Sequence, residues 1–185
     1  MVLTKSAMID LGNKMPDFEL IDTISGKPFS SHDLAGGKAK LIVFMCNHCP
    51  FVQHILYKLV DLLNVYQHKG IGVATISSND SLSFPEDSPE KMKLLAAQYL
   101  FEFPYLYDES QQVAKAFGAT CTPDFFLFDS EGKLAYRGQF DSARPGGSIP
   151  VTGEDLRNAM DAILEGKSIN SDQKPSIGCN IKWKS

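Results

Sequence analysis

Apolar runs and helix-period segments alternate along this chain from end to end, and that alternation predicts an α/β domain built on a central sheet. Asp17-Phe18-Glu19-Leu20-Ile21-Asp22 alternates with period two, and Ser25-Gly26-Lys27-Pro28-Phe29 reads as a turn into a second extended piece. The N-terminal third is therefore a strand-rich extension. Leu41 to Met45 is a continuous apolar run of the kind a sheet buries on both faces. Beyond it, Val52, Ile55, Leu56, Leu59, Leu62, Leu63 and Tyr66 recur at helical spacing, with Pro50 suited to the first turn and Gly70 to the stop. Ile71 to Ser77 supplies the next strand, so the β-α-β unit is expected to be parallel and right-handed. Ligands in such sheets sit at the carboxyl ends of strands, which brings Asn79 and Asp80 towards the start of the helix.

Ser88 before Pro89 marks a helix start that runs to about Phe101, and a shorter helix covers Ser110 to Phe117. Phe125-Phe126-Leu127-Phe128 and Leu134-Ala135-Tyr136-Arg137 flank Asp129-Ser130-Glu131-Gly132-Lys133, a β-hairpin pattern. A Gly/Pro-rich loop from Asp141 to Val151 precedes a last helix, Gly153 to Glu165. From Lys167 onward no periodicity is legible. The expected organisation is one domain over residues 1–169 with a tail, 170–185, packed on it.

Cys46-Asn47-His48-Cys49-Pro50 stands where the apolar strand gives way to the long helix. Helix N-termini carry unpaired N–H groups and the positive end of the dipole, so a thiolate formed there is stabilised. An ordinary thiol with a pKa of about 8.5 is largely protonated at neutral pH, and roughly 1–2 kcal/mol of such stabilisation lowers that value by about one unit. The spacing lets one sulfur resolve a mixed disulfide formed by the other, and the expected order is attack by Cys46 and release by Cys49. His48 has two readings, an imidazolium that favours the thiolate and makes the couple oxidising, or a solvated first-turn residue. A structural zinc site would use a second close ligand pair, and none follows.

With 185 residues, 43% of them apolar and 22% charged, the chain has the composition of a single globular domain. Its net charge of -4 argues against nucleic acid or an anionic membrane surface as partner. Small-molecule or protein disulfides, with a cellular dithiol as reductant, are the expected partners, and no cofactor or metal is expected. Four cysteines are too few for a disulfide scaffold, and Met1 to Met8 has no apolar stretch of signal-peptide length, so a reducing, cytoplasmic setting is expected. The sequence leaves the oligomeric state open.

The order of elements, the dithiol at a strand-to-helix junction and Thr122-Pro123 ahead of an apolar strand together resemble the thioredoxin fold. The resemblance implies a mixed central sheet flanked by helices. It also implies a cis-proline at Pro123, facing the dithiol, with Thr122 offering backbone to an extended substrate. Gly12-Asn13-Lys14-Met15-Pro16-Asp17-Phe18 and the acidic turn Asp129-Ser130-Glu131-Gly132-Lys133 are similar to the alkyl hydroperoxide reductase and thiol-specific antioxidant branch of redoxins. Ser176-Ile177-Gly178-Cys179-Asn180-Ile181-Lys182-Trp183-Lys184 resembles the ending of a small thioredoxin-like group within it.

Two departures shape the functional reading. Peroxidases of this branch resemble one another in Pro-X-X-X-Thr-X-X-Cys, but counting back from Cys49 gives Cys46 in the threonine's place and Ile42 in the proline's. Thioredoxins carry tryptophan before the first cysteine and a buried acid on the preceding strand, whereas here Met45 and Lys40 stand there. Proton transfer then falls to His48 or water. Arg137 and Arg144 could supply a guanidinium to peroxide chemistry, but both read first as solvated. Cys121 is read as a buried inert thiol or a third redox cysteine, and Cys179 as an auxiliary resolver or a packing residue. A thiol–disulfide oxidoreductase is the leading expectation. Peroxide reduction and a Cu(I)- or zinc-binding module using Cys46, Cys49 and His48 are the alternatives.

Overall fold

The computed structural model describes residues 2–184. Strands β1 (Leu3–Lys5), β2 (Glu19–Asp22) and β3 (Pro28–Ser30) precede β4 (Ala39–Phe44), which leads into helix α1 (Pro50–His68). Then follow β5 (Ile71–Ser77), α2 (Pro89–Tyr99), β6 (Tyr105–Tyr107), α3 (Gln112–Phe117), β7 (Cys121–Thr122) and β8 (Asp124–Asp129). β9 (Leu134–Tyr136), α4 (Glu154–Leu164) and β10 (Ile177–Asn180) complete the chain. The main sheet has the order β3-β2-β6-β5-β4-β8-β9. It is mixed, with β4-β5 and β5-β6 parallel and its other pairs antiparallel.

β4 is central because its residues are apolar at successive positions, so both faces can be covered. Leu41, Val43 and Met45 pack in one cluster with Leu56, Leu59 and Leu63 of α1 and with Leu156 and Met160 of α4. Ile42 and Phe44 join the other, against Phe117 of α3 and Phe126 of β8. All seven positions that define the apolar stripe of α1 are buried. Its N-terminus is therefore fixed in depth and direction by the core, and what that N-terminus carries is fixed with it.

The tail departs from expectation. Where no periodicity was legible, β10 pairs antiparallel with β1 on one side and with β7 on the other. A four-residue strand containing a glycine has no apolar face to announce it, and its extended form is imposed by its two neighbours. Ile177–Asn180 of the tail are thus woven into a three-stranded sheet with β1 and β7, while Met1 and Ser185 lie outside the described residues.

The arginines also depart. Arg137 is 1% exposed, and its guanidinium donates to both oxygens of the Asp124 carboxylate, while Nε donates to the Ala7 carbonyl at 2.9 Å. The guanidinium carbon lies 3.7 Å from the centre of the Phe126 ring. Arg144 is half-buried and donates to the carbonyls of Asp141 and Ala143 and to the Gln139 side chain. Neither is solvated, because each meets backbone or carboxylate oxygens that burial leaves in need of a donor. Asp124 follows Pro123 directly, so the ion pair pins the loop that carries Thr122-Pro123. Burial pushes its carboxyl up to about 6 against the pull of Arg137. Removing one partner of such a pair strands the other, so Arg137→Ala should lose about 3–5 kcal/mol in urea denaturation. A loss of about 0.5 kcal/mol, typical of a surface substitution, would contradict this account of the loop.

Candidate active site

The chain leaves β4 at Phe44, and Met45 to Cys49 form the short link to α1. Cys49 is the N-cap, with extended φ −72° and ψ 120°, and Pro50 is the first helical residue, where its missing N–H is harmless. Cys46 and Cys49 are both free thiols, 1% and 0% exposed. Opposite them lies the Thr122-Pro123 peptide, which is cis as the resemblance implied. Cys46 Sγ lies 3.4 Å from Thr122 Oγ1, and Cys49 Sγ lies 3.1 Å from the Thr122 carbonyl oxygen.

A third sulfur completes the cluster. Cys179, on β10, places its Sγ 2.7 Å from that of Cys49. Cys121 does not join it: its thiol faces the Pro123 carbonyl at 3.8 Å, and burial drives its pKa far above the usual range. The structure therefore brings together Cys46, Cys49, Cys179, Thr122 and Pro123. The outer edge of Thr122, expected to be open, is paired with Cys179 of β10.

The balance of hydrogen bonding and burial runs in opposite directions on the two thiols, lowering Cys49 and raising Cys46. Cys46 donates a hydrogen bond to the Cys49 sulfur, Cys179 adds another, and the Val52 N–H of the first helical turn points at it, which together outweigh burial and hold Cys49 at about 5. In its thiol form Cys49 donates to the Thr122 carbonyl, but ionised it has four donors around it, the Thr122 hydroxyl included, against that one acceptor. Cys46 is raised because it serves as donor to Cys49, because it is buried and because the Asp87 carboxylate faces it. Cys179 is pushed up to about 12, first by burial and then by its hydrogen bond to Cys49. Cys49 also caps α1, where the positive end of the helix dipole adds to these hydrogen bonds, while Cys46 precedes the cap.

Asp87 was not legible in the sequence. It ends a 3-10 turn (Pro85–Asp87), is fully buried, and aims its carboxylate at the dithiol link. Oδ1 accepts from the backbone N–H groups of Asn47 and His48 at 2.8 and 3.1 Å, and Oδ2 meets His48 Nδ1 at 2.5 Å and Asn79 Nδ2 at 2.7 Å. Asn79 does reach the site, as its place after β5 suggested. The imidazole stacks on Phe84 with ring centres 5.4 Å apart, and its bond to Asp87 raises the His48 pKa despite partial burial. Burial pushes Asp87 up, yet the hydrogen bonds from His48 and Asn79 prevail and hold it below the usual value. A buried acid is thus present near the sulfurs, delivered by the segment after β5 instead of by β4. Donor atoms of Cys46, His48 and Asp87 lie within 4.8 Å of one another, as a metal site would need. Both Asp87 oxygens are already engaged by donors, so the carboxylate suits an ion pair better than a ligand set.

Residues 11–137 match the AhpC/TSA family, and the chain belongs to it. An uncharacterized conserved protein from Geobacillus kaustophilus is 51% identical, with a TM-score of 0.97 over 100% of this chain and 97% of that one. A hypothetical protein from Sinorhizobium meliloti 1021 is 48% identical, with a TM-score of 0.96 over 98% and 99%. The thioredoxin domain of a Bacteroides vulgatus thiol-disulfide oxidoreductase, 20% identical, covers 84% of this chain and 99% of its own at a TM-score of 0.64, which shows a thioredoxin-like fold. Among curated proteins, the thiol-disulfide oxidoreductase ResA of Bacillus thuringiensis is 24% identical over 71% of this chain and 70% of its own length. In class the protein is an oxidoreductase.

The His48–Asp87 pair makes a pH signature. His48's share of stability is full below 6.5 and is lost as pH rises through its raised folded pKa; Asp87's share is present above 3.8 and is lost as pH falls through its lowered one. The pair therefore contributes most between those two values. An NMR titration of His48 should give a pKa above 6.5 that falls in Asp87→Asn, and an unchanged midpoint in that variant would remove the pair from the account.

Proposed function

We propose that the protein is a thiol–disulfide oxidoreductase whose attacking group is the Cys49 thiolate and whose dithiol is Cys46/Cys49. The observation that carries this reading is a sulfur capping α1, flanked by a second thiol of a Cys-X-X-Cys and facing a cis Thr-Pro peptide. The thiolate attacks one sulfur of a substrate disulfide and expels the other as a thiolate, and a neighbouring thiol then attacks Cys49 to release the reduced substrate. Two electrons pass from the dithiol to the substrate, and a cellular dithiol restores them. Substrates are small-molecule or protein disulfides in this reading, which also draws on the names of the curated relatives. The cytoplasmic setting expected from the sequence belongs to the same proposal. No helix among the described residues is long and apolar enough to cross a membrane.

Peroxide reduction is the second reading, favoured by the N-capping Cys49 with Pro50 after it. Against it, Cys46 occupies the place of the hydroxyl that would be aimed at peroxide, and Thr122 Oγ1 is directed to Cys46. A thiolate alone supplies a nucleophile and leaves the O–O bond unpolarised. Stopped-flow oxidation by hydrogen peroxide and dithiothreitol-driven reduction of glutathione disulfide, run side by side, separate the two. Turnover of the disulfide that Cys49→Ser abolishes, with slow and unsaturable oxidation by peroxide, is expected. Rapid saturable oxidation by peroxide with no disulfide turnover would reverse the ranking.

A further inference from the structure

The tail strand is anchored along the face of the Thr122-Pro123 loop. Ser176 Oγ donates to the Pro123 carbonyl at 2.7 Å, Cys179 pairs with Thr122 and Asn180 with Cys121. At Gly178 a side chain has no room: a Cβ there would lie 1.9 Å from the Thr122 oxygen, a backbone atom that cannot swing aside. Beyond β10, the Lys182 N–H donates to Asn79 Oδ1 at 2.8 Å, its carbonyl accepts from the Asp80 N–H at 2.9 Å, and the Lys184 N–H donates to Gln111 Oε1 at 2.9 Å. The strand is thus held before, at and after Cys179, and its alternation turns the Cys179 side chain onto the N-terminus of α1. While β10 is seated, no extended segment from outside can pair with Thr122.

We infer that Cys179 is the resolving thiol of this site, a sulfur that the tail strand keeps beside Cys49 so that a Cys49–Cys179 disulfide closes each oxidation. The inference deepens the proposed function and rests on Cys49 as the attacked sulfur. Two free sulfurs at 2.7 Å are already closer than two non-bonded sulfurs sit, so bond formation needs only a small displacement of side chains already in place. In the step itself, a mixed disulfide Cys49–S–S–R is attacked at Cys49 Sγ by the Cys179 sulfur. The Cys49–Cys179 bond forms, the bond to R breaks, and RS⁻ leaves with the electron pair and takes up the proton that Cys179 gives up. If Cys46 has closed on Cys49 first, the same attack transfers the bond and frees the Cys46 thiol, with no net change in oxidation. An incoming dithiol then reduces Cys49–Cys179 and restores both thiols.

The experiment treats the full chain with glutathione disulfide and maps cysteine linkages by mass spectrometry after acid quench, in wild type, Cys46→Ser, Cys46→Ser/Cys179→Ser and Gly178→Ala. In Cys46→Ser, glutathione should appear on Cys49 and then leave as the Cys49–Cys179 bond forms within one chain. The double variant should keep its glutathione. Gly178→Ala, which lifts β10 from Thr122, should shift the wild-type product from Cys49–Cys179 towards Cys46–Cys49. A lasting glutathione adduct in Cys46→Ser, with Cys179 still open to alkylation, overturns this inference and leaves the Cys46/Cys49 reading standing if wild type still turns over. Closure of Cys49–Cys179 in Cys46→Ser while wild type shows no turnover supports the inference and overturns the dithiol reading. Absence of any adduct in every variant overturns both.

Discussion

The sulfur of Cys49 sits at the positive end of a 19-residue helix, and the surrounding architecture converges on that position. α1 can hold it there because seven apolar positions fix the helix against β4 and β5, so the N-terminus does not adjust when the sulfur ionises. Placing a thiolate in a site from which water is largely excluded would be costly without donors. Here Cys46, Cys179 and the Val52 N–H provide them. The cis Thr-Pro loop closes the other side, and it in turn is fastened by the buried Asp124–Arg137 pair.

The site combines parts of two chemistries without completing either of the familiar versions. A thioredoxin would place its acid on the strand that leads to the dithiol; here Asp87 arrives from the segment after β5 and is paired with His48, so the acid and the imidazole act as one hydrogen-bonded unit beside Cys46. A peroxidase would place a threonine hydroxyl where Cys46 stands. The substitution replaces a donor aimed at peroxide by a second thiol, and that exchange favours disulfide chemistry over O–O cleavage. Burial of all four cysteines means that a substrate reaches sulfur only as the cover over it, β10 included, yields.

Features set by local pattern were legible in the sequence. The α1 stripe, the parallel β4-β5 pair, the Ser88 cap and the hairpin across Asp129 to Lys133 all follow from residues close together along the chain, while the cis Thr122-Pro123 was implied by the resemblance to the thioredoxin fold. What was not legible depends on pairing across long separations. Asp87 looked like one more polar residue near a helix start, yet it is buried by its bonds to residues about forty positions earlier. Arg137 ends an apolar strand in sequence, where a guanidinium usually finds water, and only the fold reveals Asp124 beside it. Cys179 lies in a segment without periodicity, and its strand exists because β1 and β7 flank it. Spacing identifies a dithiol, but the interactions that lower Cys49 and raise Cys46 come in part from residues, such as Cys179 and Asp87, that only the fold brings alongside.

The central claim is that Cys49 carries the negative charge. The most direct test is a titration of thiolate ultraviolet absorbance in the fully reduced protein, repeated for Cys49→Ser and Cys46→Ser. The account predicts a first thiolate with a midpoint near 5 in wild type, lost in Cys49→Ser and retained, though shifted upward by the missing Cys46 donor, in Cys46→Ser. A low-pH thiolate that survives in Cys49→Ser and vanishes in Cys46→Ser would assign the charge to Cys46 and contradict the account.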